Sequence, residues 1–249
     1  MKKLFVILSV VGLLFACDSE SASDCFQTSG SIIQETITVP NFNRILVNRD
    51  IELIIRQGEN YEVTIETGEN LINDITVEVI DDRLVLTDNN TCNFVRDFGI
   101  TKMFVTTPTL SEIRCSTQFE ISSDGVLNFD TLNLISEDFN EPETFPIGDF
   151  RLELDVENLN IIANNLSFFF LSGEVTEANF RFFGGDGRIE AENLIAQNIN
   201  IFHRSSNDMI INPQQSLTGV INNTGDVISV NQPPVVDVDV LFTGRLIFN

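Results

Sequence analysis

The residues of this chain best suited to chemistry are its alternating acids. Glu153, Asp155 and Glu157 alternate with Leu152, Leu154 and Val156, so on a straight strand the three carboxylates share one face. Asp237 and Asp239 alternate with valines in the same way. Grouped carboxylates can hold a divalent cation, or act as acid and base on a polysaccharide. The second use needs basic side chains to hold the substrate. Only Arg151 stands near the first group, and none stands near the second. A charged outward face also serves solubility and protects a sheet edge. Glu153, Asp155 and Glu157 are therefore read as a possible cation site, and no residue is assigned a catalytic role. His203 is the single histidine. With no second histidine and no nearby cysteine, it offers little to a zinc site or a catalytic triad. Its place beside Phe202 and Arg204 reads as a surface or corner position. The stretch "GGDG" at 184–187 occurs once, without the repeat a calcium-binding nonapeptide array requires. No cofactor is implied.

Cys17 has a different chemistry. Met1-Lys2-Lys3 is a short basic segment, and Leu4 to Ala16 is almost wholly apolar. As a helix, thirteen residues span about 20 Å, short of a hydrocarbon core of about 30 Å. The pattern fits a secretory signal over residues 1–16. Leu14-Phe15-Ala16-Cys17 resembles the lipobox of bacterial lipoproteins, whose cysteine is diacylated and becomes the new N-terminus, although Phe15 is larger than that pattern prefers. The resemblance implies lipidation of Cys17 and a membrane partner through the anchor. Residues 17–34 then read as the lipidated cysteine and a flexible acidic tether, since Asp18, Glu20 and Asp24 among serines cannot bury enough apolar surface to order themselves. Acids directly after such a cysteine resemble signals that send some Gram-negative lipoproteins to the cell surface. They suit a plain solvated tether equally.

Composition excludes some functions. The chain has 37 acidic and 14 basic residues, a net charge of −23. Without Lys2 and Lys3, 37 acids face 12 bases, or −25. That field repels nucleic acid and attracts divalent cations or basic surfaces. There are 21 Phe against one Tyr and no Trp, which favours dry cores over wet aromatic platforms. Cys25, Cys92 and Cys115 remain beyond Cys17. An exported compartment permits a disulfide, and the odd number leaves one thiol over.

Those side chains must be positioned by strands. From Ile37 onward, stretches such as "YEVTIETG" and "TKMFVTTP" alternate apolar and polar residues and break at Gly, Asn or Asp. The second half also repeats. An apolar position recurs at Leu132, Leu159, Phe180, Ile199, Val220 and Val238, in steps of 27, 21, 19, 21 and 18. The long first step holds the acidic, proline-bearing "EDFNEPETFPIGD", which reads as a loop bulging from one coil. A second column runs through Ile162, Phe183 and Phe202 as inward corner residues. A third runs through Asn158, Asn179 and Asn198 as a hydrogen-bonding ladder. A period near 20 predicts an all-β, single-domain parallel β-helix-like solenoid with rungs of about 20 residues, covering residues 35–249. An antiparallel sandwich would alternate without a fixed period. Cys92 and Cys115 are 23 residues apart, close to one rung. Stacking then makes them neighbours able to form a disulfide.

Residues from about Glu35 to Gly125 resemble the head-GIN domain family of secreted or lipid-anchored bacterial proteins described as auto-transporter adhesins. Phe42, Gln57-Gly58, Asp82-Arg83-Leu84 and Pro108-Thr109-Leu110-Ser111-Glu112-Ile113 carry the resemblance. It implies a single-domain parallel β-helix, and it brings no catalytic residues. The second half departs, with "SSND", "NTGD" and "GGDG" where the family often has Ser-Gly repeats. The sequence therefore points to a non-enzymatic lipoprotein of the outer membrane presenting a rigid acidic surface. Its partner is an unidentified protein or glycan. A structural or stress-related envelope component, or a polysaccharide-active β-helix, is the alternative.

Overall fold

A computed structural model describes residues 24–90, 92–97 and 99–249. The signal segment and Cys17 lie outside the described residues. Within them the chain is all-β. The strands of the first half are β1 (Ile32–Thr38), β2 (Arg44–Val47), β3 (Ile51–Gln57), β4 (Glu62–Gly68), β5 (Ile75–Ile80), β6 (Arg83–Asp88), β7 (Thr101–Thr107) and β8 (Glu112–Cys115). Those of the second half are β9 (Ile121–Ser136), β10 (Phe150–Ala163), β11 (Phe168–Phe182), β12 (Arg188–His203), β13 (Met209–Ile211), β14 (Pro213–Ile221), β15 (Val227–Ser229), β16 (Val235–Val240) and β17 (Leu246–Phe248).

The two halves pair differently. The first is mixed: β4 runs antiparallel to β1 and β7, and β5 to β6. Asp81 and Asp82, both at positive φ, make the two-residue turn of the β5–β6 hairpin. From β9 onward every pairing is parallel. The long strand β9 joins the halves, its start pairing with β3 and its end with β8. Paired residues from β10 to β17 lie 17 to 21 positions apart in sequence. Between β9 and β10 the step is 27 to 29, because the 137–149 loop intervenes.

That loop does not bulge freely. Glu137 is fully buried and accepts from the Arg114 guanidinium at 2.9 Å and from the Asn140 amide N–H at 3.0 Å. Burial alone would raise its pKa. The Asn140 and Arg114 donors outweigh burial and hold the carboxyl below its ordinary range. Phe145 donates its N–H to Ser116, and Arg49 lies 4.5 Å from the Phe145 ring centre. The loop is thus folded back onto the first half.

The core columns are real, but the register differs from the sequence reading by two residues at Phe180 and Val238, and by three at Val220, which pairs with Phe202 and Asp239 on the outward face. One column is Leu132, Leu159, Ala178, Ile199, Leu217 and Val236. Phe180 instead joins Leu134, Ile161, Ile201 and Gly219, and Val238 follows in that second column. A small Ala at 178 hid the first column, and the larger Phe two residues on mimicked it. Phe180 and Ile199 are nonetheless both buried, and Arg181 and Asn200 both exposed, since a slip of two keeps each side chain on its face. The expected inward corner column also fails. Ile162 and Phe202 are half-buried and Phe183 is exposed. The inward neighbours are Ala163, Phe182, His203 and Ile221.

His203 is therefore no surface residue. It is fully buried, its ring 6.4 Å from that of Phe182, and neither ring nitrogen has a hydrogen-bond partner. Burial pushes its pKa down from 6.5 to about 4, against the pull of Asp208 and of the backbone at Gly225 and Asn207.

The cysteines also depart from expectation. Cys92 pairs with Cys25, at a Cα separation of 4.4 Å, and Cys115 is free and buried. The one-rung argument for Cys92 and Cys115 fails because β2 lies between β6 and β8 in the sheet. Cys92 also lies beyond the end of β6, while Cys115 points inward beside Val47. The disulfide closes a 67-residue separation and fixes the Asp24–Phe26 turn against residues 92–96, where Phe26 and Phe94 meet edge to face at 5.7 Å. Gln27 is buried and β1 starts at Ile32, so order begins ahead of the expected boundary at 35.

Three outcomes follow from this packing. Phe180→Ala removes a fully buried ring and should cost about 3–5 kcal/mol. Hydrogen exchange should show the loss first in β10 to β12, whereas Arg181→Ala should change stability by less than about 0.5 kcal/mol. For His203, the unfolded chain takes up a proton below about pH 6.5 that the folded chain refuses until about pH 4. Stability should fall as pH drops through that window, by on the order of 3 kcal/mol at its lower end. Urea titrations of His203→Leu should show a flatter decline, and parallel declines would contradict the assignment. Burial pushes the Cys115 thiol up to about 11. A thiol reagent should thus leave it unlabelled in the native protein even after mild reduction has exposed Cys25 and Cys92, and label it on denaturation.

Candidate functional site

The bends of β9 to β12 shape a part of the surface where one expected acid, Glu153, lies near a base, Arg151. Between β9 and β10 the register shifts from Arg151 to Glu153, and between β11 and β12 from Phe170 to Ser172. Gly173 sits beside this bend at φ +105, where a Cβ would come 2.0 Å from the Leu154 carbonyl oxygen. Only glycine allows the strands to turn this closely.

The bend opens a groove of about 380 Å³, whose lining includes Ser123, Arg151, Glu153, Phe170, Glu190 and Asn193. Arg151, Phe170 and Glu190 are direct partners on three successive strands, forming a row of cation, ring and carboxylate. Glu153, Ser172 and Asn193 form the next row. The Arg151 guanidinium lies 4.2 Å from the Phe170 ring centre and donates to Glu120 at 3.0 Å. Glu190 accepts from Arg188 at 2.5 Å. Both charged ends of the row are thus already engaged within the protein. A groove of this kind can hold a polar ligand by shape and hydrogen bonds. Its acids have no uncommitted cation beside them to position an anionic substrate.

The three expected cation ligands are not brought together. Glu153 lines the groove. Asp155 lies outside it and accepts from the Asn128 amide at 2.7 Å. Glu157 continues the same outward face, since Leu152, Leu154 and Val156, which alternate with the three acids, are all buried. Alternate residues on a strand stand about 6.5 Å apart, so sharing a face does not gather the three carboxylates around one ion. No group of three His, Cys, Asp or Glu side chains among the described residues could hold a metal ion. Asp237 and Asp239 point outward on β16, level with Thr218 and Val220.

The asparagine ladder exists in another column. Asn179 donates to Asn160 at 3.1 Å, Asn160 to Asn133 at 3.0 Å, and Asn133 to the Ser111 carbonyl at 2.7 Å. Asn158 and Asn198 instead align with Glu177 between them. Asn198 donates to Glu177 at 2.7 Å and accepts from Ser216 at 2.7 Å. The row Arg151–Phe170–Glu190 had no signal in the sequence, because its members are 19 and 20 positions apart and chemically unlike.

Among the described residues, no helix is long and apolar enough to cross a membrane. Solved structures share the fold. A putative adhesin from Bacteroides fragilis NCTC 9343 superimposes with a TM-score of 0.78 at 20% identity, covering 89% of this chain and 99% of that one. A putative adhesin from Parabacteroides distasonis ATCC 8503 gives 0.62 at 14% identity, with 89% and 99% covered. A putative lipid binding protein from the same strain gives 0.59 at 15% identity, with 88% and 97% covered. No curated protein sequence matches the chain. The family profile described as "Putative auto-transporter adhesin, head GIN domain" matches residues 41–233, so the chain belongs to the head GIN domain family.

Proposed function

We propose that the protein is a non-enzymatic lipoprotein of the cell envelope, which presents a rigid acidic β-solenoid surface for adhesion. The observation that carries this reading is the adhesin family match over residues 41–233, taken with a groove whose one arginine is committed to Glu120 and Phe170. A polysaccharide-cutting site needs a cation free to hold substrate beside its acids, and the groove offers none. The parallel offsets of 17 to 21 residues from β10 to β17 support rungs of about 20 residues. Such a stack is stiff, since each rung is held by its neighbours along its length.

Cys17 supplies the anchor in this reading, in the outer membrane. Two or three acyl chains bind a bilayer stably where one does not. The disulfide at Cys25 then bears on display, because only residues 18–24 separate the lipid from a fixed point on the folded body. At about 3.6 Å per residue those residues hold the domain within about 30 Å of the bilayer.

Cys17→Ser should release the full-length protein from the membrane fraction and abolish incorporation of labelled fatty acid. A wild-type protein that fractionates as soluble and carries no acyl label would overturn the anchor. If cells expressing the anchored wild-type protein adhered to surfaces no better than cells expressing Cys17→Ser, the adhesive role would fail.

A further inference from the structure

Arginine is scarce on this surface, and where it stands without a partner is informative. Beyond Lys2 and Lys3, 12 of the 14 basic residues lie in the described chain. Ten of these twelve contact a carboxylate, a backbone carbonyl or an aromatic ring. Arg181 and Arg204 are the two that do not, and both are exposed. With 37 acids in the chain, two neighbouring guanidiniums left unpaired are unexpected on charge alone.

The same patch holds two of the exposed aromatics, Phe139 and Phe183. Arg181 is the direct strand partner of Phe202. One step further, the pairing of Phe182 with His203 puts Phe183 level with Arg204. Residues two apart share a face, so Arg181 and Phe183 on one strand meet Phe202 and Arg204 on the next in a two-by-two checkerboard. The two phenylalanines occupy one diagonal, with ring centres 5.2 Å apart, and the arginines the other. Phe139, from the folded-back loop, extends the aromatic row by an edge contact with Phe183 at 5.8 Å. Phe139 is 51% and Phe183 39% exposed. Contiguous exposed apolar groups with a polar rim mark interaction sites.

We infer that Phe183 and Phe202, flanked by Arg181 and Arg204, bind an acidic polysaccharide. Aromatic faces receive the apolar faces of sugar rings. Guanidinium groups recognise carboxylate or sulfate oxygens in paired hydrogen bonds. A ring and a cation on each of two successive strands match a polymer that itself repeats a ring and an anion. The net negative charge of the protein does not prevent this, because at physiological ionic strength charges beyond about 8 Å are largely screened. Exposed ion pairs are individually weak, so binding depends on several repeats engaging at once.

The inference deepens the adhesive reading by naming a partner class, and it is tested apart from the membrane anchor. Full-length protein in detergent is immobilised and titrated at physiological salt with polygalacturonate, dextran sulfate and neutral dextran. At least one acidic polymer should bind tenfold or more tightly than dextran, and which one separates carboxylate from sulfate recognition. R181Q/R204Q should lose that binding at least tenfold, and Phe183→Ser should lose it comparably. Arg56→Gln, which breaks the exposed pair with Asp124, should bind as wild type. Unchanged thermal unfolding of the variants would show that the fold is intact, since all the replaced side chains are exposed or half-exposed. Equal binding to all three polymers, no binding to either acidic one, or an unaffected R181Q/R204Q would overturn the proposal. Tighter binding to poly-glutamate than to either acidic polysaccharide would also overturn it, and would assign the patch to a protein partner. None of these outcomes depends on whether Cys17 is acylated, so failure here and failure of the anchor are separable.

Discussion

Everything in the second half rests on covering one apolar side chain with the next along a parallel stack. Strand β10 alone would expose Leu159, Ile161 and Ala163 on its inward face. Only β9 on one side and β11 on the other remove them from water. The gain is the ordinary one of about 25 cal/mol per Å² of apolar surface, and it is available only when neighbouring strands are in register. Register is thus chosen by the core, and the outward residues inherit whatever neighbours it gives them.

That inheritance creates an electrostatic constraint. Parallel stacking puts like positions about 4.8 Å apart, and two carboxylates at that spacing repel by about 3 kcal/mol at an effective dielectric of 20. The chain relieves this by interposing amides and hydroxyls. Glu177 stacks between Asn158 and Asn198, and Glu153 is followed by Ser172 and Asn193. Where two acids do align, as at Asp155 and Glu174, Asp155 is met by the Asn128 amide. Among the described residues the negative charge is therefore distributed as isolated carboxylates with polar neighbours, and no three of them gather where a cation could be held. Against that background the unpaired Arg181 and Arg204 stand apart.

Much of this was legible in the sequence, and the misreadings share one cause. Alternation located the strands, and the recurrence near 20 residues located the repeating half. Burial of Phe180 and exposure of Arg181 followed, because both depend only on parity. What the sequence lacks is the alignment of one strand on the next. Ala178 carries too little apolar weight to reveal its column, and the larger Phe180 stands in for it in the sequence pattern. The polarity of His203 points to the surface, but its position follows Phe182 into the core. Glu153, Asp155 and Glu157 do share the outward face that alternation predicts, but the strand spaces them too widely to share an ion. Counting along the chain puts Cys92 beside Cys115, whereas β2 inserts between β6 and β8 and breaks the link between chain order and sheet order. The groove and the checkerboard of Arg181 and Phe202 are products of register, and so stayed hidden.

The register is accordingly the claim to test most directly. Nuclear Overhauser contacts between backbone protons of β11 and β12 in deuterated protein read it without perturbation. The account requires cross-strand contacts that place Asn179 opposite Asn200 and Phe180 opposite Ile201, advancing in the same direction along both strands. Contacts placing Phe180 opposite Ile199, or a series that advances on one strand while retreating on the other, would contradict it.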